Sequence, residues 1–209
     1  TTVAGVGIQG DSPNQGTVDN TRLALPTAVA VDGAGNIYIA DTSNGRIRKV
    51  EVEKGVITTV AGLGNGSGYS GDGGQATQAR LNLPFGVFVD KAGDLYIADT
   101  YNHRIRRVAA GTGIITTVAG NGIYGASEDG GPATSASLAY PRGIWVDKLG
   151  NIYISDDNNR IRRVAADTGI ITTVAGGGVT YDDGIPATNS IVVSPRGIWG
   201  DSKGNIYVA

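Results

Sequence analysis

The sequence predicts an all-β fold in which one four-stranded unit is repeated in tandem. The string TTVAG begins at residues 1, 58, 116 and 172, so the same segment returns at intervals of about 57 residues. A second marker recurs in register with it, because a short Asn/Asp-Ile/Leu pair precedes Tyr38, Tyr96, Tyr153 and Tyr207. The 209 residues also include 34 glycines and 7 prolines, which supply the turns that many short strands need. One supersecondary unit is therefore copied along the chain.

Residues 84–120 show the content of one unit. Four runs rich in Val, Ile, Tyr and Thr are separated by clusters of Asp, Gly and Asn, which is typical of four antiparallel strands with tight turns. Valines flank Phe88 in strand one, and apolar residues flank Tyr96 in strand two, so both faces of the sheet are predicted to be covered. In strand three, Ile105 and Val108 fall on opposite faces, which predicts a bulge or an early end of that strand.

Tandem four-stranded sheets with two apolar faces are typical of the blades of a β-propeller. A parallel β-helix is the rival architecture, but its coils are shorter and lack four turn clusters in each period. We therefore expect one propeller domain or propeller segment over residues 1–209, with about 3.7 repeats. Its predicted parts are blades at 26–62, 84–120 and 141–176, a partial blade at 195–209, and an outer strand at 1–5.

Three stretches carry a resemblance to a known family. The segment YIADTYNHRIRRV at 96–108 resembles the motif of NHL-repeat proteins, and YIADTSNGRIRKV and YISDDNNRIRRV are degenerate copies. The linkers GDGGQAT from Gly71 and EDGGPAT from Glu128 resemble those of a secreted bacterial-type subgroup. The resemblance covers essentially the whole chain. It implies a propeller, more often with six blades than four, and an extracellular or other extracytoplasmic location with the export signal absent from this sequence.

Composition restricts the chemistry that the chain can support. Cysteine is absent and His103 is the only histidine, so thiolate sites, multi-histidine metal sites and most catalytic triads are disfavoured. The formal net charge is −2, which argues against nucleic acid as the main partner. No apolar run approaches the roughly 20 residues that span a bilayer. Methionine is also absent, so we expect a processed form or a fragment of a longer array.

One set of polar residues recurs at the end of strand two in each blade. A functional interpretation places them along a polar channel, whereas a structural interpretation has Asp and Asn capping the turn and Arg pairing with an acid of the adjacent blade. Repetition in every blade favours the structural interpretation, because repeat arrays reuse the same interface. The set comprises Asp41, Asn44, Arg46, Asp99, Asn102, Arg104, Asp156, Asn159 and Arg160.

The linkers between blades carry acidic, glycine-rich loops around Asp72, Asp129 and Asp183. Calcium is a possible ligand of such loops, but their spacing matches neither an EF-hand nor a nonapeptide calcium repeat, and Asn14 stands at the corresponding place in the first linker. Turn formation and capping of the following ATxAxL helical turn is the preferred interpretation. We therefore expect no metal and no cofactor.

Aromatic residues fall into two classes. Phe88, Trp145 and Trp199 share one position of strand one, where they are expected to fill blade interiors rather than to stack on a ligand. The linker tyrosines lie outside the strand pattern, and exposed loop tyrosines are better contact residues. The candidate ligand contacts are the loop residues Tyr69, Asp72, Tyr101, His103, Tyr124, Asp129 and Tyr181.

The third strands carry a basic stripe. Some NHL-repeat proteins bind RNA through a positive propeller face, but 16 aspartates offset the arginines here, and nucleic acid is not the favoured partner. The stripe consists of Arg46, Arg48, Arg104, Arg106, Arg107, Arg160, Arg162 and Arg163.

These observations favour a non-catalytic binding or scaffold module for a protein or a glycan. No unrepeated group of acid, base and nucleophile is visible, so no catalytic residue is assigned. Two alternatives remain. One is a self-assembling filament or shell subunit, because the incomplete end blades would leave strand edges that template association. The other is a lyase or lactonase, because some six-bladed relatives use a metal in the central channel.

Overall fold

The computed structural model describes residues 2–64 and 67–209 and is all-β. The strands of its first half are β1 (Gln15–Thr17), β2 (Pro26–Val31), β3 (Ile37–Asp41), β4 (Arg46–Glu51), β5 (Val56–Ala61), β6 (Pro84–Val89) and β7 (Leu95–Asp99). The remaining strands are β8 (Arg104–Val108), β9 (Ile115–Ala119), β10 (Ile144–Val146), β11 (Ile152–Asp156), β12 (Arg160–Val164), β13 (Ile171–Gly176), β14 (Ile198–Gly200) and β15 (Ile206–Val208).

These strands form antiparallel sheets in the order expected of propeller blades. Blade 1 has the order β1-β5-β4-β3-β2, blade 2 β6-β7-β8-β9, blade 3 β10-β11-β12-β13, and blade 4 β14-β15. From β2 onward, strands that follow each other within a blade are hydrogen-bonded neighbours, as in a meander. The sheet of blade 1 gains β1 as a fifth strand, which was not expected, through pairing of Gln15 with Thr58.

Short 3-10 turns connect the strands and linkers. They cover Val18–Asn20, Thr42–Asn44, Val52–Lys54, Ala76–Gln78, Thr100–Asn102, Ala133–Ser135 and Ala187–Asn189. None of the described helices is long and apolar enough to cross a membrane.

The turn between the first two strands of each blade is fixed by one aspartate. In blade 1, Asp32 Oδ1 accepts the N–H groups of Ala34 and Asn36, and Gly35 adopts a φ of 82°, which a residue with a side chain rarely adopts. The second carboxylate oxygen accepts the Asn36 side chain at 2.8 Å and the Tyr38 hydroxyl at 3.3 Å. Equivalent bonds recur at Asp147 and Asp201. The sequence pattern DxxG followed by Asn or, in blade 2, by Asp94 therefore encodes the hairpin locally.

A register shift lies beside strand three in blades 1 and 3, whereas the bulge expected from the sequence was placed within strand three of blade 2. The register between β4 and β5 shifts between Ile47 and Arg48, which leaves Val60 without an opposite residue. The register between β12 and β13 shifts in the same way between Ile161 and Arg162. The extra residue belongs to strand four, and it bends that strand against its partner.

The chain divides into two compact units. One comprises Thr1–Tyr101 with Arg106–Thr116, and the other comprises Asn102–Ile105 with Thr117–Ala209. In the first unit, Tyr38 and Ala40 of blade 1 share a buried cluster with Val87 and Val89 of blade 2. In the second unit, the indole of Trp145 is 8% exposed and lies against Gly200, where a Cβ would come within 2.3 Å of the ring. Each unit thus has a core built between neighbouring blades.

The expectation of an outer strand over residues 1–5 differs from the structure. Residues 2–5 form no strand, with a bend at residues 3 and 4, and Gly5 donates its N–H to the carbonyl of Val18. Thr1 lies outside the described residues. A fourth strand of this type forms by pairing with a third strand, and residues 2–5 belong to no strand of the structure. The alternation of the segment alone therefore did not suffice to make it a strand.

Candidate functional site

One arginine at the same position of each complete blade is fully buried rather than exposed on the surface. Arg48, Arg106 and Arg162 each have 0% relative exposure and occupy the same position of the third strand. The basic stripe expected from the sequence is therefore corrected, because its central members are covered by the blades. Each of these arginines shares a strand face with the apolar residue two positions later. The inward-facing residues of strand three therefore alternate regularly, and the buried arginine is one of them.

Each buried arginine faces an equally buried aspartate at the end of strand two. Arg106 Nη1 lies 3.2 Å from Asp99 Oδ2, and the corresponding distance from Arg48 to Asp41 is 3.9 Å. The aspartates also accept a backbone N–H from the segment that enters the blade; for Asp99 the donor is Asn82, at 2.8 Å. Burial raises the pKa of Asp41 and lowers the pKa of Arg48, because it penalises both charged forms.

The linker aspartates complete this network. Asp72 accepts a hydrogen bond from Arg106 Nη2 at 2.6 Å, and Asp129 accepts one from Arg162 Nη2 at 3.0 Å. The expectation that these acids cap the following helical turn is corrected, since the N-cap residues are Gln75 and Pro132 and neither turn has a side-chain cap. The GDGG-type linker places a carboxylate over a buried guanidinium, and this ion pair gives the acidic residue a structural role.

Blade 3 departs from the network at Asp156. The turn after this aspartate is one residue shorter than in blades 1 and 2, where Asn44 donates to both oxygens of Asp41 at 3.0 and 2.9 Å. Asp156 Oδ1 accepts the N–H of Ala139 at 2.9 Å, but Oδ2 is buried and has no hydrogen-bond partner among the described residues. Burial without that donor raises the pKa of Asp156 to about 6.

The first arginine of strand three has a different environment in blades 1 and 2. Arg46 pairs with Asp11 of the preceding linker at 2.5 Å. Arg104 instead donates to the backbone carbonyls of Gly120 and Asn121 at 3.0 and 2.8 Å. Arg46 also donates to the backbone carbonyls of Ser12 and Leu63, so this arginine holds linkers in place through carbonyl groups in both blades.

Three aromatic side chains from separate segments of the second unit form a cluster, which we call the aromatic trio. It consists of His103 in the turn before β8, Tyr124 in the linker, and Tyr140 just before Pro141. The ring centroids of His103 lie 5.7 Å from Tyr124 and 4.8 Å from Tyr140, and the two tyrosines lie 5.3 Å apart. Tyr124 is 61% exposed, so the cluster presents an aromatic surface to solvent.

The backbone holds the trio in place. The N–H of Tyr140 donates to His103 Nδ1 at 3.3 Å, which leaves Nε2 as the protonated nitrogen of the neutral ring. His103 and Tyr140 both adopt positive φ angles, 53° and 39°, that L-residues seldom adopt. Burial lowers the pKa of His103, which favours the neutral imidazole. The result is an uncharged aromatic surface with fixed ring positions.

The same three positions carry other residues elsewhere in the repeat. At the junction between blades 1 and 2, the three positions are occupied by Gly45, Ser67 and Leu83. These residues line an open cleft of about 270 Å³. At the last junction, Ser194 donates its N–H to Asn159 Oδ1 at 3.0 Å, which is the counterpart of the bond between Tyr140 and His103. The scaffold bond is thus repeated, whereas the aromatic surface occurs once among the described junctions.

The structure brings together only part of the expected contact set. His103 and Tyr124 meet, and Tyr140, which was not among the residues predicted from the sequence, joins them. Tyr69 is exposed, at 41%, but it contacts the arginine network instead of the trio: its hydroxyl donates to Asp72 at 2.6 Å and the Arg106 guanidinium lies 4.7 Å from its ring centroid. Tyr101 and Tyr181 are exposed. An aromatic residue at the pre-proline position, where the repeats otherwise have Leu or Ser, was the signal that could have revealed Tyr140.

The tryptophans expected in blade interiors behave differently from each other. Trp145 is buried and packs on Tyr153 with ring centroids 5.0 Å apart, whereas Trp199 is 58% exposed beside Tyr207. Within residues 2–64 and 67–209, no group of three or more His, Cys, Asp or Glu side chains could hold a metal ion.

Comparison with protein families identifies what this chain is similar to. The family model described as the teneurin NHL domain matches residues 63–129 and 124–181, and the NHL repeat model matches residues 23–50.

Curated relatives are similar over part of their length. A relative from Arabidopsis thaliana, Protein SUPPRESSOR OF QUENCHING 1, chloroplastic, is 28% identical over 72% of this chain and 15% of its own length. NHL repeat-containing protein 2 of Gallus gallus is 37% identical over 52% of this chain and 14% of its own. Teneurin-1 of Gallus gallus is 32% identical over 69% of this chain and 6% of its own length. The chain thus spans only a small part of these relatives.

Solved structures share the fold. A protein of unknown function from Bacteroides thetaiotaomicron has a TM-score of 0.67 at 22% identity, with 88% of this chain and 44% of that chain covered. An auxiliary nutrient binding protein from the same organism has a TM-score of 0.67 at 18% identity, with 90% of this chain and 46% of that chain covered. Virginiamycin B lyase from Staphylococcus aureus has a TM-score of 0.54 at 18% identity, with 92% of this chain and 50% of that chain covered. These neighbours are β-propellers, and the predicted fold class is confirmed.

Proposed function

Because this chain belongs to the NHL-repeat family, through its match to the teneurin NHL domain, we propose that it is a non-catalytic binding module whose contact surface is the aromatic trio. The observation that supports this proposal is that the trio breaks the repeat. Each complete blade has the buried arginine, but only one of the described junctions carries His103, Tyr124 and Tyr140 together. A ligand site requires residues that the fold itself does not demand.

The chemistry of the trio suits a protein or glycan surface. Tyrosine offers a large apolar area with a polar hydroxyl at low cost in conformational entropy, and it is enriched where binding energy concentrates. The rings are already packed against one another, so little ordering is needed on binding. A neutral His103 adds an Nε2–H donor without a charge that would have to be desolvated. An extracytoplasmic location is part of this proposal, motivated by the resemblance of the linkers to those of a secreted subgroup.

Catalysis is not part of the proposal, although lyase propellers share the fold. A likeness of 18% identity to virginiamycin B lyase concerns the fold alone. The one histidine of the chain has Nδ1 occupied by the Tyr140 N–H, on an aromatic surface without a neighbouring carboxylate among its described contacts. Self-association through incomplete end blades, expected from the sequence, remains a prediction.

The experiment that tests the proposal screens the purified chain against a glycan array and an array of extracellular protein domains. Ligands retained by the parent chain are then measured with Tyr124→Ala and with Tyr181→Ala, a matched control on a tyrosine that is 75% exposed outside the trio. We expect Tyr124→Ala to weaken binding at least about tenfold and Tyr181→Ala to leave it unchanged. Equal effects of the two variants, or no specific ligand on either array, would contradict the proposal.

A further inference from the structure

A second repeat-breaking feature lies in the first unit, where a lysine lines a groove. The groove has a volume of about 470 Å³ and runs between blades 1 and 2, with the turn at Gln75–Thr77 along one side. Lys49 of β4 lines it together with Val60, Leu95 and Val108. Leu95 and Val108 belong to the buried cluster of this unit, so the floor of the groove is apolar.

The counterparts of Lys49 in the other complete blades are both paired. Arg107 of blade 2 forms a two-nitrogen contact with Asp94, in which Nε lies 2.8 Å from the carboxylate. Arg163 of blade 3 donates to Asn151 Oδ1 at 2.8 Å. Lys49 has neither a salt bridge nor a hydrogen bond among the described residues. Its ammonium lies 5.7 Å from the ring centroid of Tyr38, its neighbour across the sheet.

The surroundings of Lys49 leave its charge available to a ligand. Glu51 lies on the same strand face and attracts Lys49 electrostatically, but its carboxylate makes its direct contact with Lys54, at 2.5 Å. Tyr38 stays a neutral donor, since its hydroxyl donates to Asp32 at 3.3 Å and burial raises its pKa to about 12. A single cation at the edge of an apolar groove favours a ligand that has both an anionic group and an apolar body. The anionic group pairs with the cation, and the apolar body covers the apolar floor of the groove.

We propose that the groove between blades 1 and 2 binds a small amphipathic carboxylate, such as a medium-chain fatty acid, with its carboxylate on Lys49 and its chain over Val60, Leu95 and Val108. The volume lies within the range of small-molecule pockets, roughly 300–1,000 Å³. Thr59 and Gln75 also line the groove, and their side chains donate to Asn14 Oδ1 and to the carbonyl of Thr112. This site is separate from the aromatic trio and does not depend on it.

The test uses octanoate as the probe and the whole 209-residue chain, followed by methyl NMR and calorimetry. We expect saturable shifts of the Leu95 and Val108 methyl signals with octanoate and at least about tenfold weaker binding of octan-1-ol, which has a similar chain but no charge. Lys49→Gln should weaken octanoate binding about tenfold and leave octanol binding unchanged, and Lys49→Arg should preserve octanoate binding within a few fold.

Two control variants separate the Lys49 site from non-specific charge attraction and from the aromatic trio. Lys91→Gln removes the same charge from an exposed turn in the same unit and should leave octanoate binding unchanged. Tyr124→Ala, which removes the proposed macromolecular contact, should do the same, so the two proposals fail independently. Equal binding of octanoate and octanol, an unaltered affinity in Lys49→Gln, or no methyl shift at millimolar octanoate would overturn the proposal.

Discussion

The buried arginine network and the aromatic trio are both built where linkers meet blades, yet they follow opposite rules. The network recurs: Arg48, Arg106 and Arg162 are covered completely in their blades. The trio occurs at one described junction, while the backbone bond beneath it recurs at another between Ser194 and Asn159. In a repeat protein, what every unit keeps is explained by the fold, and what one unit changes is available for function. Three changes to the molecule test this distinction.

The largest effect is expected from breaking the network. Arg106→Met should lower the free energy of unfolding by about 3–5 kcal/mol, because Asp99 would remain buried with its charge partner removed. The neighbouring Arg107→Met is the matched control, since the Arg107 side chain is 42% exposed and its pair with Asp94 should contribute no more than about 1 kcal/mol. Urea unfolding of both variants measures the difference. Similar losses in the two would mean that burial does not govern the network.

A second change sharpens the comparison between blades through pH. The pKa of Asp156 in the folded protein, about 6, lies above its ordinary value of 3.8, so the folded state holds this proton more tightly than the unfolded state does. The contribution of Asp156 to stability is therefore greatest below about pH 4 and decreases as pH rises to about 6, by up to about 3 kcal/mol.

Asp156→Asn removes this titration while keeping an oxygen that can accept the N–H of Ala139. The unfolding free energy of the variant relative to the parent should therefore rise between about pH 4 and pH 6.5. Thermal or urea unfolding across that range provides the measurement. A difference that stays constant with pH would show that Asp156 is ionised normally in the folded protein.

The smallest effect on stability is expected within the trio. His103→Asn installs the residue that the repeat places at Asn159, where its side-chain oxygen accepts the equivalent backbone N–H. Asparagine also tolerates the positive φ of this position. We expect a change of no more than about 0.5 kcal/mol at about pH 8.

The same variant has a pH signature. The pKa of His103 is lowered by burial, so the parent chain should lose stability as pH falls below the ordinary value of 6.5, and the variant should lack this loss. Paired melting curves at about pH 8 and pH 5.5 measure the difference. A large loss of stability in the variant at the higher pH would show that the trio, like the arginine network, has a structural role.

The sequence predicted the four-stranded antiparallel sheets, but it placed a bulge in strand three where the structure has the extra residue in strand four. It also placed the central arginines in a basic stripe, where the structure buries them. Arg106 was assigned to a basic surface stripe because arginine is usually exposed. It is buried because Asp99 and Asp72, from a strand end and a linker, both reach its guanidinium. His103 and Tyr124 were chosen separately as contact residues, and nothing in their spacing indicated that Tyr140 would join them.

The sequence by itself determined the features that depend on near neighbours. The four-strand repeat follows from alternation, and the hairpin turn follows from Asp32 bonding to N–H groups two and four residues later. Tertiary structure alone decided which polar residues meet. Arg106 reaches Asp72 across 34 positions, and Tyr140 reaches His103 across 37, so each contact depends on how a linker folds back on a blade. Hydrogen bonds between near neighbours follow from short sequence patterns. Contacts between residues more than 30 positions apart form only after the sheets have packed.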